Sequence, residues 1–265
     1  MSHATKCFAR GNQSFSTFRV SQLLALLAAI SCSTTATLCP SFARKEQPDA
    51  AYAARVLYDG RSSDANFDLY AQKVALSPTE GSLINGSIFP AAKRQWKDEG
   101  ELNLKTLAVL SGSFTGGAAK QRLVFYKCRY DIFGLAVLEG DRLVVNYGFK
   151  DLVEPGNVKV VPALSASSRD DVAIEYWSMH QGYRHGMVSV FELGASQVKK
   201  LGLFAIAEDD LGSNKYFKFE IRTTGGATPQ YYSTKYQKIR NKWTKVGSSE
   251  ALKPRADNIE FFKIP

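Results

Sequence analysis

From residue 104 onward the chain is a succession of short apolar runs parted by turn residues, a cadence that few folds can accept. The runs lie at 107–110, 122–127, 135–139, 143–147, 158–161, 172–177, 187–193, 198–201, 216–221 and 231–239. They are rich in Val, Phe, Tyr, Leu and Ile. β-Branched and aromatic side chains suit a pleated surface, and runs this short suit strands better than buried helices. The pattern predicts a mainly β domain over residues 105–265.

Aligning the runs brings out a spacing. Residues 134–148 (GLAVLEGDRLVVNYG) place Gly140-Asp141 between two strands, and 187–202 (MVSVFELGASQVKKLG) place Gly194-Ala195 likewise. Residues 233–247 (STKYQKIRNKWTKVG) place Arg240-Asn241 there. A two-residue connection between strands reads as a hairpin, best made where Gly or Asn takes positive φ. The turns begin 54 and then 46 residues apart. That period predicts repeated β-hairpin units in a propeller-like array, with a two-sheet β-sandwich as the alternative.

The stretches ahead of the hairpins add a resemblance. Residues 112–123 (GSFTGGAAKQRL), and in the same frame 50 residues later 163–172 (ALSASSRDDV), resemble the opening of an FG-GAP or VCBS-type repeat. The resemblance covers about 105–250. It implies the β unit of integrin-like propellers, as in many secreted bacterial proteins of unknown function. Family members carry loop carboxylates that bind Ca²⁺, a cation wanting 6–8 oxygen ligands. Here those positions hold Ser113, Gly117 and Gln121, then Ala163, Ser167 and Asp171. One carboxylate in six implies the backbone path without the metal, so no cofactor is expected. Glu208, Asp209 and Asp210 open a candidate third unit, and solvated turn carboxylates are the preferred reading of all these acids.

Residues 1–43 read as a signal peptide. A basic, Ser-containing stretch with Lys6, Arg10 and Arg19 and no acid precedes the apolar residues 20–30 (VSQLLALLAAI) and a small polar region. Cleavage before Arg44 is expected, and the product is expected to be secreted or periplasmic. A lipoprotein anchored at Cys32 and an organelle-targeted protein are the alternatives. No later run is long and apolar enough to span a bilayer as a helix. Once 1–43 are removed, 31 basic and 25 acidic side chains leave a net charge of +6, which favours polyanions or an anionic envelope surface. Residues 44–104 read as a helical and irregular segment, with helices over 49–58 and 91–102 and a loop over 77–90. Cys128, in YKCRY, reads as a small buried apolar residue.

Two constellations stand out as candidate sites. Residues 176–187 (YWSMHQGYRHGM) hold Trp177, His180, Tyr183, Arg184 and His185 in what reads as a crowded loop, a candidate wall for a carbohydrate or anion. Two histidines without a third ligand do not make a zinc site, so no metal is assigned. Residues 229–245 interleave aromatics with Lys235, Lys238, Arg240, Lys242 and Lys245, a candidate polyanion surface. An exported chain is not expected to meet nucleic acid. No nucleophile elbow, zinc-protease, phosphate-loop or redox motif appears, and no catalytic residue is assigned. The expectation is a non-catalytic binding domain for an unknown surface ligand or protein. A hydrolase of envelope glycans or phosphoesters using Asp171, Glu175 and the His180–His185 loop is one alternative, and a polyanion-binding module the other.

Overall fold

The structure, a computed structural model, describes residues 54–62, 74–116, 120–150, 155–161, 163–164, 169–213, 215–256 and 258–265, with only the backbone of His180. The expectations about residues 1–43 and Cys32 lie outside these residues. Residues 46–265 form one compact unit.

The expected helix over 49–58 is corrected where it is described. Arg55–Asp59 is a strand, β1, followed by a 3-10 turn at Gly60–Ser62. Pairing with a distant strand overrides the local helical propensity of an Ala-rich stretch. The second helix is displaced in sequence. Pro78–Leu83, Ile84–Ile88 and Phe89–Gln95 run on as one 18-residue helix, α1, so most of the expected loop over 77–90 is helical and the expected helix over 91–102 stops at Gln95. Its start is written in a capping box. The Ser77 hydroxyl accepts from the Glu80 N–H at 3.2 Å, and the Glu80 carboxylate accepts from the Ser77 N–H at 2.8 Å. Pro78 needs no partner in the first turn. Ile84–Ile88 is wound as a π turn, whose extra width relieves the clash that the ring of Pro90 would otherwise cause.

Thirteen further strands follow: β2 (Lys105–Gly112), β3 (Gln121–Lys127), β4 (Ile132–Glu139), β5 (Arg142–Lys150), β6 (Pro155–Val161), β7 (Asp171–His180), β8 (Tyr183–Leu193), β9 (Val198–Asp210), β10 (Lys215–Thr223), β11 (Tyr231–Ile239), β12 (Lys242–Lys245), β13 (Glu250–Leu252) and β14 (Phe261–Lys263). They form two antiparallel sheets. One has five strands in the order β14-β5-β4-β3-β2. The other has nine, with the path β12-β11-β10-β9-β8-β7-β6, β1 added on β10 and β13 on β11.

The five-stranded sheet is buried on both faces, which is why its strands read as nearly continuous apolar runs. Val124, Tyr126, Ala136 and Leu138 pack under α1 against Ile84, Ile88, Ala92 and Trp96. Leu123, Phe125, Phe133, Leu135 and Phe149 face the other way. They share one core with Val158, Val172, Ile174 and Phe191 of the nine-stranded sheet. A second core lies on the far side of that larger sheet, where Tyr58, Val188, Val190, Phe204, Ile206 and Ile221 meet.

Strand β1 enters this second core through a gap. β10 pairs with β9 over Lys215–Lys218, then with β1 over Glu220–Thr223. Gly60 sits where β9 and β10 part, and a Cβ there would lie 2.3 Å from the Ile206 carbonyl oxygen and 2.7 Å from that of Phe219. No larger residue fits that notch.

The chain is mainly β, but among the described residues no closed or propeller-like sheet forms, which corrects the propeller expectation. The physical reason is the seam between β9 and β10. Strands β6 to β10 zip into one continuous meander instead of closing off separate sheets. The hairpins at Gly140-Asp141 and Arg240-Asn241 form as expected, one in each sheet. The hairpin at Gly194-Ala195 turns over four residues, with Leu193 opposite Val198.

Two loops that carried the family resemblance have a common construction. Gln121, first in β3, accepts with Oε1 from the N–H of Phe114 at 2.9 Å, and Asp171, first in β7, accepts with Oδ2 from the N–H of Leu164 at 2.6 Å. Each reaches back seven residues to a buried apolar residue. The loops are also tied to each other, since the Ser113 N–H donates to Asp170 Oδ2 at 2.8 Å and the Asp170 N–H to the Ser113 carbonyl at 2.7 Å. Gly117 and Ser167 lie outside the described residues.

Candidate functional site: a rim of three hairpin tips

The long strands β7 and β8 make the predicted crowded loop a hairpin. Its turn is only Gln181-Gly182, with φ of 48° and 84°, a pair that matches the right-handed twist of the strands. The hairpin sorts the predicted residues by face, because side chains alternate along a strand. Trp177 lies opposite Gly186, and Arg184 opposite Met179. His185 lies opposite Ser178, and Tyr183 opposite His180, on the other face.

The inward face is structural. The Trp177 indole lies across two glycines, since a Cβ at Gly156 or at Gly186 would come within 2.9 Å of its ring. Its N–H donates to Glu175 Oε1 at 2.7 Å, and the Tyr58 hydroxyl donates to Glu175 Oε2 at 2.6 Å. Burial, then the nearby Glu175 charge, pushes the Tyr58 phenol far above its ordinary range, so it stays a donor. Trp177 is therefore removed from the predicted binding wall: it is buried and holds β6, β7 and β8 together.

Tyr183 and His185 remain toward solvent, with rings 6.4 Å apart and 19° from parallel. A second tip stands beside theirs. Tyr183 pairs with Asp210, and the Leu211 N–H donates to the Gly182 carbonyl at 3.2 Å. Asp210 accepts from the Gly212 N–H at 3.1 Å. The Ser213 hydroxyl, with these turn N–H groups, holds its carboxyl below the ordinary value. Glu208, Asp209 and Asp210 thus end β9 at a hairpin, in keeping with the preferred reading of them as turn carboxylates and not with the candidate third calcium-loop unit.

The third tip is Arg240-Asn241, with φ of 49° and 63°. Lys238, Arg240 and Lys242 are exposed around it. Lys235, the fourth predicted cation, is held apart. Its ammonium lies 3.9 Å from the centre of the Phe217 ring and 3.5 Å from Glu208. The Tyr216 and Trp243 rings meet edge to face at 5.3 Å across β11, joining the second and third tips. Six neighbouring strands put the three tips along roughly 24 Å of one sheet end.

The residues of the hydrolase alternative do not converge. Asp171 and Glu175 are four positions apart in one strand, roughly 13 Å, beyond the spacing of either glycosidase class. Both are buried and hold protein groups. Cys128 is buried, and desolvation pushes its thiol up to about 12, away from nucleophilic use. Among the described residues no three His, Cys, Asp or Glu side chains gather as a metal site, and no helix is long and apolar enough to cross a membrane. Surface depressions of about 510, 390 and 310 Å³ lie elsewhere, beside Phe89, Phe261 and Arg169 respectively.

Met179, Leu211 and Ile239 carry no signal in the sequence, because each is isolated there. With Tyr183 they come to one end of the sheet only when the hairpins stack. A two-sheet β domain with a hairpin-tip rim is the class that fold and site define. Comparison with protein-family models, curated proteins and solved structures returns no match.

Proposed function

We propose that this chain is an exported, non-catalytic binding domain that meets an anionic surface ligand with the rim of three hairpin tips. The observation that carries this is the gathering, among the described residues, of Arg184, Lys215, Lys238, Arg240 and Lys242 at one sheet end, where Asp209 and Asp210 lie opposite Arg184 and Lys215 and leave Lys238, Arg240 and Lys242 in excess. Glu208 and Lys235 offset each other one step further in. Clustered cations raise the local concentration of an anionic partner and speed its capture. Export follows from the order of basic, apolar and small polar residues in 1–43, and the degenerate FG-GAP-like loops fit a surface-exposed binding role.

Retention on immobilised heparin tests the reading. The chain should elute late and in a salt-dependent manner, and Lys238→Glu with Arg240→Glu and Lys242→Glu should elute near the void. Equal retention of that triple variant would move the binding surface elsewhere. N-terminal sequencing of the chain recovered from an expressing host checks the export step.

A further inference from the structure

Resting on that reading, we infer that the partner of the rim is an anionic lipid surface, into which the three hairpin tips dip edge-on. Four of the nine large apolar side chains left exposed among the described residues stand at this one end: Met179 at 63%, Leu211 at 51%, Tyr183 at 50% and Ile239 at 47%. Chance scatter of surface apolar residues needs no explanation, but a cluster marks an interaction site.

The placement of these residues selects the occupant. Met179 sits on the face of Arg184, whereas Tyr183 sits on the opposite face, and Leu211 occupies the neighbouring β9–β10 turn. A rigid partner can cover one face of a sheet or one groove. A medium that closes around the tips from both sides suits this arrangement, and the boundary between headgroups and acyl chains does that. The cations stand beside the apolar tip residues, behind them at the first two tips. Lys238, Arg240 and Lys242 frame Ile239, Lys215 follows Leu211, and Arg184 adjoins Tyr183. At the first two tips that order, apolar first and basic behind, matches the order of acyl chain and phosphate met on approach to an anionic leaflet, and at the third Arg240 and Lys242 stand at headgroup depth beside Ile239. Tyr183 adds an amphipathic ring of the kind that settles at headgroup depth. The Asp210 carboxylate, held ionised by its own turn, lies opposite Lys215, and the positive balance is carried by Lys238, Arg240 and Lys242.

The test uses the processed chain, recovered from an exporting host, since residues 46–265 form one compact unit. It is sedimented with vesicles of phosphatidylcholine alone and of phosphatidylcholine mixed with phosphatidylglycerol, and run on heparin in parallel. Binding to the mixed vesicles alone is expected. Met179→Ser with Leu211→Ser and Ile239→Ser should weaken vesicle binding about tenfold or more and leave heparin retention unchanged. Leu211→Ser alone, in an exposed turn, should weaken it in the same sense and guards against misfolding of the triple variant. The charge-reversed triple should lose both. If the parent is retained by heparin but ignores anionic vesicles, or if both apolar variants bind vesicles as the parent does, the lipid assignment is overturned and the binding reading stands. If the parent itself shows neither heparin retention nor vesicle binding, both readings fall.

Discussion

Tyr58 and Glu175 are 117 residues apart in the chain and 2.6 Å apart in the fold. That bond joins β1, the first described strand, to the middle of the hairpin whose tip begins the rim. Trp177 shares the same carboxylate. The interior network therefore fixes the angle at which β7 and β8 leave the core.

Removing the Tyr58 hydroxyl tests this attachment. Tyr58→Phe should cost about 1–3 kcal/mol, because a buried hydrogen bond to a carboxylate is lost while the ring stays. Urea unfolding measures it, and a change under about 0.5 kcal/mol would show that β1 docks without it.

The notch that admits β1 gives a second outcome. Gly60→Ala places a methyl group against two carbonyl oxygens that cannot swing away, so destabilisation of about 1–3 kcal/mol is expected in thermal unfolding. A neutral Gly60→Ala would mean that the β9–β10 seam opens freely.

Asp171 gives a pH dependence. Burial raises its carboxyl from the ordinary 3.8 to about 6, above its value in the unfolded chain. The folded chain therefore binds this proton more tightly. The stability from it is fully present below pH 3.8 and is lost as pH rises through about 6. Asp171→Asn keeps an acceptor for the Leu164 N–H and carries no charge. Its stability relative to the parent should climb across that window by up to about 3 kcal/mol. A flat difference would contradict the assignment.

At the other side of the fold, Ser77→Ala should cost about 1 kcal/mol by opening the capping box of α1. It should leave heparin retention unchanged, because α1 packs on the five-stranded sheet and not on the one that carries the rim.

The strands were legible because each buries a face, so β-branched and aromatic runs stand out between turns. The helix α1 was less so. Gly81, Asn85, Gly86 and Pro90 are loop residues by propensity, and only Ser77-Pro78 followed by Glu80 announces the start. β1 was hidden by the alanines before it. The candidate site was legible in part. Tyr183, Arg184, His185, Lys238, Arg240 and Lys242 were singled out, and the tips unite them. Trp177 looked the same in sequence and turns inward, a distinction that rests on strand phase and on the two glycines beneath the indole, and Lys235 is taken up by Phe217 and Glu208. Leu211 and Ile239 had no local signal, since their meaning comes from strands stacked in register.

Backbone hydrogen exchange with and without an anionic ligand tests the rim most directly. Added heparin fragment or phosphatidylglycerol vesicles should slow exchange together at 181–182, 211–213 and 240–241. Slowing confined to the opposite sheet end, around 194–197 and 224–230, would contradict the account.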